Sequence, residues 1–311
     1  MDLRCRGRAT ELETNDAPVK QRNKGDMRNA KATSMRILIG CLVLLVINYL
    51  VWAQDKGVPT ASLVKSSKLL TDFQVVEFRR YTIREGEREH FAQYFESYFP
   101  EAFQQLGAIA IGQFLERGNN SRFTWLRAFH NMDDRAKVNA LFYFGPLWKE
   151  HAATLNSLIT DSDNVLLLRP LSPERGITVL PAVDPVKERK GAQGIVIAQI
   201  FAVKAGNVDA FGQQAESTFV RYRDAGAREA GVLVTLDAPN NFPQLPVLTD
   251  GPYLVWLGIV ENEPSLKSFT HLLESTQQSL SATGLLRSAP ELVILDPTRR
   301  SRLRWLTEER K

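Results

Sequence analysis

Hydrophobic and polar positions alternate in two distant segments of this chain, and a similar pattern follows each segment. The first, Phe73 to Arg84, is rich in β-branched and aromatic residues and is followed by Gly86 and a run of apolar residues at helical spacing. The second, Ile195 to Val203, is followed by Gly206 and another such run. A period of two residues predicts a strand, and a period of 3.6 residues predicts a helix. The chain therefore contains one β-α pattern twice.

Each copy continues with the same further elements. In the first copy these are a helix ending before Gly107, strands at Ile109 to Glu116 and Arg122 to His130, a second helix capped by Asp133 or Asp134 and broken near Gly145 and Pro146, and a strand at Asn164 to Arg169. In the second copy they are helices at Asn207 to Ala225 and Glu263 to Ala282 and strands at Ala230 to Leu236, Tyr253 to Glu261 and Glu291 to Leu295. The order βαββαβ is that of a ferredoxin-like domain.

The predicted fold class is therefore α+β, with two tandem ferredoxin-like domains at residues 72–171 and 195–298. Residues 172–194 are rich in proline and charge and are predicted to form a linker. Helices cover only one face of a ferredoxin-like sheet, so the other face must meet a partner sheet or a ligand. We expect the two domains to pack sheet to sheet as an internal pseudo-dimer.

The longest difference between the copies is a proline-rich loop from Asp237 to Gly251 in the second copy. It is too long for a tight hairpin turn, and it is either a lid over a site or surface decoration. The pattern alone favours surface decoration.

The N-terminal region predicts export rather than a folded domain. Residues 1–34 have mixed charge and no apolar periodicity, and they are predicted to be disordered or an extension upstream of a start at Met35. Residues 35–53 resemble a signal peptide that is cleaved after Ala53, which would place the protein in the periplasm or outside the cell. The alternative is an uncleaved signal anchor formed by residues 37–52. A lipoprotein site at Cys41 is rejected because most of the apolar run follows the cysteine.

Charge and cysteine content exclude several function classes once this leader is set aside. Residues 1–53 hold nine Lys and Arg against five Asp and Glu, and the rest of the chain has equal numbers of the two kinds. The basic character therefore belongs to the leader, and no nucleic-acid partner is expected. Both cysteines, Cys5 and Cys41, also lie there. The remainder can form neither a disulfide nor a zinc-thiolate site.

The histidines predict no metal site and no bound cofactor. None of the four pairs with another at the spacing of a helical metal site, and they are His90, His130, His151 and His271. His151 lies on the second predicted helix of the first copy. It could face a cavity as a haem ligand or a base, and we interpret it as a packing residue.

Polar residues share a face of two neighbouring strands in the first copy. They are Glu77, Arg79 and Tyr81 on one strand and Trp125 and Arg127 on the other. These five residues are the candidate site, with no catalytic role assigned to any of them. We expect either a polar lining of a pocket between the two sheets, inside the barrel, or an ion pair that fixes how the sheets meet. The second copy has Ile197 and Gln199 in place of Glu77 and Arg79, so the site is expected only in the first copy.

Several motifs of the first copy together resemble the NIPSNAP family. They are Glu77-x-Arg79-x-Tyr81, Phe123-x-Trp125-x-Arg127-x-Phe129, Asp133-Asp-Arg135 and Pro146-Leu-Trp148. The resemblance extends from about Val75 to Pro170 and is fainter in the second copy. It implies the fold of the dimeric α/β-barrel superfamily, in which two ferredoxin-like sheets pack face to face. It implies no settled mechanism and no catalytic residues. The mitochondrial location of animal relatives is not transferred, because the leader here resembles a secretory one.

Two classes of function follow from these expectations. The first is a binding or interaction module that holds a small apolar or amphipathic ligand, forms a homo-oligomer or presents helices to another protein. The second is a small-molecule enzyme of the barrel superfamily, such as a cofactor-independent monooxygenase, an isomerase or a haem-dependent oxidoreductase. In that case Tyr81, Arg79 or Arg127 would supply an acid, a base or an anion anchor. A membrane contact is expected only through an uncleaved leader.

Overall fold

The computed structural model describes residues 68–305. The predictions for residues 1–53, including cleavage after Ala53, lie outside the described residues. The strands are β1 (Lys68–Leu69), β2 (Val75–Ile83), β3 (Ile109–Glu116), β4 (Arg122–Phe129), β5 (Ile159–Pro170), β6 (Thr178–Val179), β7 (Ile195–Ala202), β8 (Arg228–Thr235), β9 (Tyr253–Val260) and β10 (Glu291–Pro297). The helices are α1 (Arg88–Gln105), α2 (Met132–Tyr143), α3 (Pro146–Leu158), α4 (Val208–Asp224) and α5 (Glu263–Ser281). No helix in this part of the chain is both long and apolar enough to cross a membrane.

Eight strands form one closed barrel in the order β10-β3-β4-β2-β5-β8-β9-β7. Each copy supplies four consecutive strands of this order. The two sheets join at both edges, because β5 pairs with β8 and β10 pairs with β3, in both cases antiparallel. The predicted pseudo-dimer of two ferredoxin-like units is confirmed. The edge pairing adds hydrogen bonds between the sheets, which leaves neither sheet with a free edge.

The barrel interior is filled with apolar side chains from both copies. Val76 and Phe78 of β2 pack there with Leu126 of β4, and Val196 and Leu257 of the second copy belong to the same cluster. All five are at most 1% exposed. Alternation along each strand sends these residues inward, where they form one core shared by the two sheets.

The helices lie outside the barrel and cover the opposite face of each sheet. In the first copy, aromatic residues of α1 and α2 pack on β4, with the ring centroids of Phe103 and Phe142 4.2 Å apart and those of Phe103 and Trp125 5.6 Å apart. In the second copy, Phe219 and Trp256 occupy a similar layer. Each copy therefore has its own core beneath its helices in addition to the shared barrel core.

Among the element boundaries that differ from those predicted, the starts of α2 and β5 have a clear local cause. The cap of α2 is Asn131, whose Oδ1 accepts a hydrogen bond from the backbone N of Asp134 at 2.8 Å. Asp133 and Asp134 lie inside the first turn, where a negative charge interacts favourably with the helix dipole. Strand β5 begins at Ile159 rather than at Asn164, because α3 leads directly into it.

The predicted linker, residues 172–194, is packed against the barrel. Its strand β6 pairs with β1, and Ile177 and Val179 belong to the shared apolar core. Leu180 donates its backbone N–H to the carbonyl of Arg302 in the C-terminal segment, where Leu303 is fully buried in the same core. The segment between the copies is thus part of the fold, and its apolar residues extend the barrel core.

Candidate functional site

One carboxylate in the first copy receives hydrogen bonds from three arginines. Glu77 Oε2 accepts from Arg127 Nε at 2.6 Å and from Arg79 Nη1 at 2.8 Å. Glu77 Oε1 accepts from Arg135 Nε at 2.7 Å. All four side chains are fully buried. We call these four residues the arginine cluster.

Regular secondary structure places each member of the cluster. Glu77 on β2 lies directly opposite Arg127 on β4, and Arg79 follows Glu77 by two residues, so the three side chains share one face of the sheet. Arg135 is in the first turn of α2, which begins at the Asn131 cap just after β4 ends. The turn between β4 and α2 folds Arg135 back over the strand that carries Arg127.

The predicted site residues come together, but on the other side of the sheet from the one predicted. Glu77, Arg79 and Tyr81 of β2 face the helices, whereas their neighbours Val76 and Phe78 face the barrel interior. The predicted lining of a pocket inside the barrel is therefore corrected to a layer between the sheet and its helices. The alternation of side chains along a strand shows which residues share a face of the sheet. It does not show which face lines the barrel interior. The more uniformly apolar face of the sheet is the one that lines the barrel interior.

Aromatic rings surround the guanidinium group of Arg127. Its central carbon lies 4.9 Å from the ring centroid of Phe103, 5.1 Å from those of Trp125 and Phe129, and 6.0 Å from that of Tyr143. These distances are in the range of cation–π contacts. The head of Arg127 therefore lies in an aromatic box formed by the sheet, α1 and α2.

Arg79 contacts the remaining predicted site residues. Its Nε donates to Tyr81 Oη at 2.9 Å. Its guanidinium carbon lies 5.5 Å from the ring centroid of Tyr81 and 5.8 Å from that of Trp125. Tyr81 and Trp125 thus orient Arg79 toward Glu77.

Burial and charge act in opposite directions on the pKa of Glu77. Burial alone would raise this pKa, but the positive charges of Arg127, Arg79 and Arg135 outweigh burial and hold the pKa well below its usual range. Burial lowers the pKa of Arg135, and an arginine nevertheless keeps its proton in proteins. Burial also raises the pKa of the nearby Tyr143 phenol to about 12. The cluster at neutral pH is therefore three cations around one anion.

Several buried polar atoms around this cluster have no hydrogen-bond partner among the described residues. They are Arg79 Nη2, Arg127 Nη1 and Nη2, Arg135 Nη2, Trp125 Nε1 and both amide atoms of Asn139. Asn139 lies one turn after Arg135 on α2 and is fully buried. Six of the seven atoms are donors.

The long loop of the second copy covers the arginine cluster. We call residues 237–251 the covering loop. Arg135 Nη1 donates to Asn240 Oδ1 at 3.0 Å and to Asn241 Oδ1 at 2.8 Å. Phe242 is buried with its ring centroid 6.0 Å from that of Tyr143. The preference for surface decoration is therefore corrected: the loop crosses to the first copy and lies over its charged residues.

Sequence reasoning did not assign Arg135, Asn139, Asn240 or Asn241 to the site. Arg135 was present in the motif Asp133-Asp-Arg135 without a role. The extra length of the covering loop was the available signal for the two asparagines. Which elements this loop reaches depends on the barrel closure, which brings β8 beside β5.

The second copy has a neutral counterpart of the site. Ile197 and Gln199 of β7 lie opposite Gly258 and Trp256 of β9, which is the arrangement of Glu77 and Arg79 opposite Arg127 and Trp125. Gln199 Oε1 accepts from Tyr222 Oη at 3.1 Å. The charged cluster is thus confined to the first copy, and the second copy provides an internal comparison.

The histidines lie outside the cluster. His151 is buried, with its Nδ1 2.7 Å from Tyr94 Oη and its ring stacked on Tyr98 at 3.9 Å between centroids. His90, His130 and His271 are exposed. Within residues 68–305, no group of three or more His, Cys, Asp or Glu side chains is arranged to hold a metal ion.

Comparison with protein-family models finds a match in the first copy. Residues 76–173 match the model of the NIPSNAP family, and the resemblance seen in the sequence motifs is thereby confirmed for this part of the chain. The comparison with curated proteins found no match.

Several solved structures resemble this chain in whole or in part. A proposed monooxygenase from Fusobacterium nucleatum is 8% identical, with 77% of this chain and 99% of that chain covered and a TM-score of 0.50. A haem-binding protein from Thermus thermophilus is 10% identical, covers 77% of this chain and 96% of its own, and has a TM-score of 0.41. A NIPSNAP-like domain protein from Burkholderia xenovorans is 25% identical, with coverages of 32% and 88% and a TM-score of 0.30. The likeness to the Fusobacterium protein shows the fold alone.

Proposed function

Residues 76–173 match the NIPSNAP family model, and we propose that this chain is a small-ligand-binding module whose ligand lies in the first copy. The ligand would occupy the layer between the sheet and the helices α1 and α2, beneath the covering loop. The second copy would act as the structural partner that closes the barrel and supplies the loop.

The observation that supports this proposal is the concentration of unpartnered buried polar atoms at one place. A buried donor or acceptor without a partner costs about 1–3 kcal/mol, so native proteins satisfy nearly all of them. Seven such atoms belong to five residues in and around the arginine cluster. The corresponding layer of the second copy has a hydrogen-bonded Gln199 instead. A ligand held in the first copy would supply the missing acceptors.

The barrel interior is a weaker candidate for the same role. Its lining is mostly apolar and comes from both copies, as at Phe78 and Leu257. Ligand sites combine an apolar wall with a few convergent polar groups. The layer under α1 and α2 has both, since the aromatic box adjoins the unpartnered guanidinium groups.

The geometry favours binding over catalysis. A general base works best when its pKa lies near the operating pH. Burial raises the pKa of Glu77, but the three arginines outweigh burial and hold this pKa far below that range. Glu77 is thus a poor base, and it serves as a counter-ion. An enzyme of the barrel superfamily stays the alternative, and turnover of a bound molecule would be the observation that favours it.

Ligand entry would require the covering loop to move. The cluster side chains are fully buried, and Arg135 is bonded to Asn240 and Asn241 of the loop. The loop is anchored at a few points, one of which is the backbone N–H of Leu248 to the carbonyl of Val165 at 2.8 Å. A long loop with few anchors is a common form of lid over a binding site.

Native mass spectrometry of the full chain purified from its own host tests the proposal. We expect a small molecule that stays bound in the native spectrum and is released on denaturation. The variant Arg79→Gln, which copies the residue of the second copy, should lose it. The matched control Gln199→Leu in the second copy should keep it. An empty wild-type protein whose melting temperature no small-molecule library raises would overturn the proposal, and a bound protein partner in its place would favour an interaction module.

The same spectrum tests our proposal of export. Support comes from the apolar run Ile37 to Trp52 ahead of small residues ending at Ala53. A mature mass that begins at Gln54 is expected. A mass that retains residues 37–52 would instead support membrane anchoring. The mass also gives the number of chains in the particle, and so tests the homo-oligomer expected from the sequence.

A further inference from the structure

We infer that the ligand is a flat aromatic carboxylate and that Arg127 binds its carboxylate group. The inference rests on the proposed function, because it names the chemical class of the ligand for that same site. Three separate features of the cluster support it: its charge, the orientation of Arg127 and the rings around Arg127.

The charge of the cluster calls for an anion. Arg79, Arg127 and Arg135 carry three positive charges against the single negative charge of Glu77, and all four side chains are fully buried. Buried charges in proteins are normally paired. Six of the seven unpartnered atoms are donors, and an ionised carboxylate is a group that only accepts. A neutral ligand would leave the charge imbalance as it is.

The orientation of Arg127 suits a carboxylate. Its Nε is used on Glu77, while Nη1 and Nη2 are both free. These two nitrogens form the terminal fork of the guanidinium group, which matches the two oxygens of a carboxylate. Arg79 and Arg135 each have a free Nη2 that could donate to the same group. Trp125 adds a free indole N–H.

The rings beside this fork favour an aromatic body. The guanidinium carbon of Arg127 lies within 6.0 Å of the centroids of four rings, and those rings belong to Phe103, Trp125, Phe129 and Tyr143. Flat apolar groups stack on or meet such rings at their edges with little loss of packing. An aromatic carboxylate would therefore satisfy the fork and the box together.

The experiment uses the full chain labelled with nitrogen-15 in the tryptophan indoles. Trp125 lies at the site, and Trp256 is its counterpart in the second copy, where its Nε1–H donates to Glu229 Oε2 at 3.0 Å. Benzoate is titrated first, followed by benzamide, which has the same shape without charge, and acetate, which lacks the ring. The Trp125 resonance is identified by its loss in the variant Trp125→Phe.

We expect benzoate to shift the Trp125 resonance to saturation and to leave Trp256 unmoved. Benzamide and acetate should bind at least tenfold more weakly, and added salt should weaken benzoate more than benzamide. The variant Arg127→Lys keeps the charge and removes the fork, and it should weaken benzoate at least tenfold. The wild-type comparison of benzoate with benzamide stands even if that variant fails to fold.

The outcomes separate this inference from the proposed function. If benzamide shifts Trp125 as strongly as benzoate, the site binds small molecules and the carboxylate assignment is wrong. If no probe shifts Trp125 and the molecule released from the native protein is not an aromatic carboxylate, the carboxylate assignment is again wrong and the module still binds a ligand. If no probe binds and the native protein is empty, both proposals fail.

Discussion

Glu77 is the residue on which the buried charge of the first copy depends. It accepts one hydrogen bond from each of three arginines, and its own pKa is depressed because their charges outweigh its burial. A buried ion pair adds little to stability compared with an apolar replacement, but removing one partner leaves an uncompensated charge. The stability of the first copy should therefore respond strongly to the loss of this carboxylate.

Replacing Glu77 with glutamine tests this dependence. Glu77→Gln keeps the shape and removes the charge, so three guanidinium groups repel one another in a buried place. We expect the free energy of unfolding to fall by about 3–5 kcal/mol, measured by urea denaturation at pH 7. The control Glu229→Gln removes a carboxylate paired with Arg175 and Arg223 in a more exposed setting, and it should cost less. Equal costs would contradict the role given to Glu77.

The pH dependence of that difference gives a second prediction. The folded-state pKa of Glu77 lies below its unfolded value of about 4.5. A depressed pKa contributes stability that is fully present above the unfolded pKa and is lost as the pH falls toward the folded pKa. The gap in unfolding free energy between wild type and Glu77→Gln should therefore be constant from pH 7 to about pH 5 and should narrow below pH 4.5. A gap in unfolding free energy that stays constant down to pH 3 would show that folding does not lower the pKa of Glu77.

The sequence predicted part of this cluster, for a physical reason. Alternation on adjacent strands was sufficient to place Glu77, Arg79 and Arg127 on one face. It could not say that this face lies under the helices, because the choice depends on how both sheets close. Arg135 was beyond local reasoning, since its position depends on the turn that follows the Asn131 cap.

At the scale of elements, the covering loop joins the two copies at the site. Its asparagines accept both hydrogen bonds of Arg135 Nη1, and its Phe242 closes over the ring of Tyr143. Asn240 also donates to the carbonyl of Leu245 at 2.9 Å, which holds the loop in shape. The loop thus contacts a specific surface of the first copy through a small number of side chains.

Removing these asparagines should open the loop more often. In the double variant Asn240→Ala and Asn241→Ala, Arg135 Nη1 loses both acceptors, and the loop also loses the bond from Asn241 Nδ2 to the carbonyl of Met132. We expect faster hydrogen exchange at residues 240–248, by about tenfold or more, with the barrel strands unchanged. The exposed loop residue Thr249 provides the control, because Thr249→Ala removes no hydrogen bond of the cluster. Unchanged exchange in the double variant would mean that other contacts hold the loop.

Element boundaries were predicted well where a single residue type decides them. The break between α2 and α3 at Gly145 and Pro146 follows from the chemistry of those two residues. The cap of α2 was assigned to an aspartate, although Asn131 has the extended backbone that a cap requires. Asn131, Asp133 and Asp134 could each have capped the helix, and the position at which β4 ends decides which of them does.

At the scale of the whole molecule, the two copies share one core. Val76 and Phe78 of the first copy pack with Val196 and Leu257 of the second, and both edges of each sheet are paired with the other copy. The repeat in the sequence predicted two packed units. It did not predict edge pairing, because register between distant strands depends on tilt and twist of the closed barrel. Neither copy can therefore bury its sheet face without the other.

A shared core predicts that the two copies unfold together. Leu257→Ala removes a fully buried side chain of the second copy from the barrel interior and should cost about 2–5 kcal/mol. Because Phe78 and Leu126 belong to the same core, hydrogen exchange at their amides in the first copy should speed up as much as exchange at β9. Thermal unfolding should stay a single transition whose calorimetric and van't Hoff enthalpies agree. Two transitions, or a first copy that keeps its protection, would mean that each copy is stabilised mainly by its own helix-covered core.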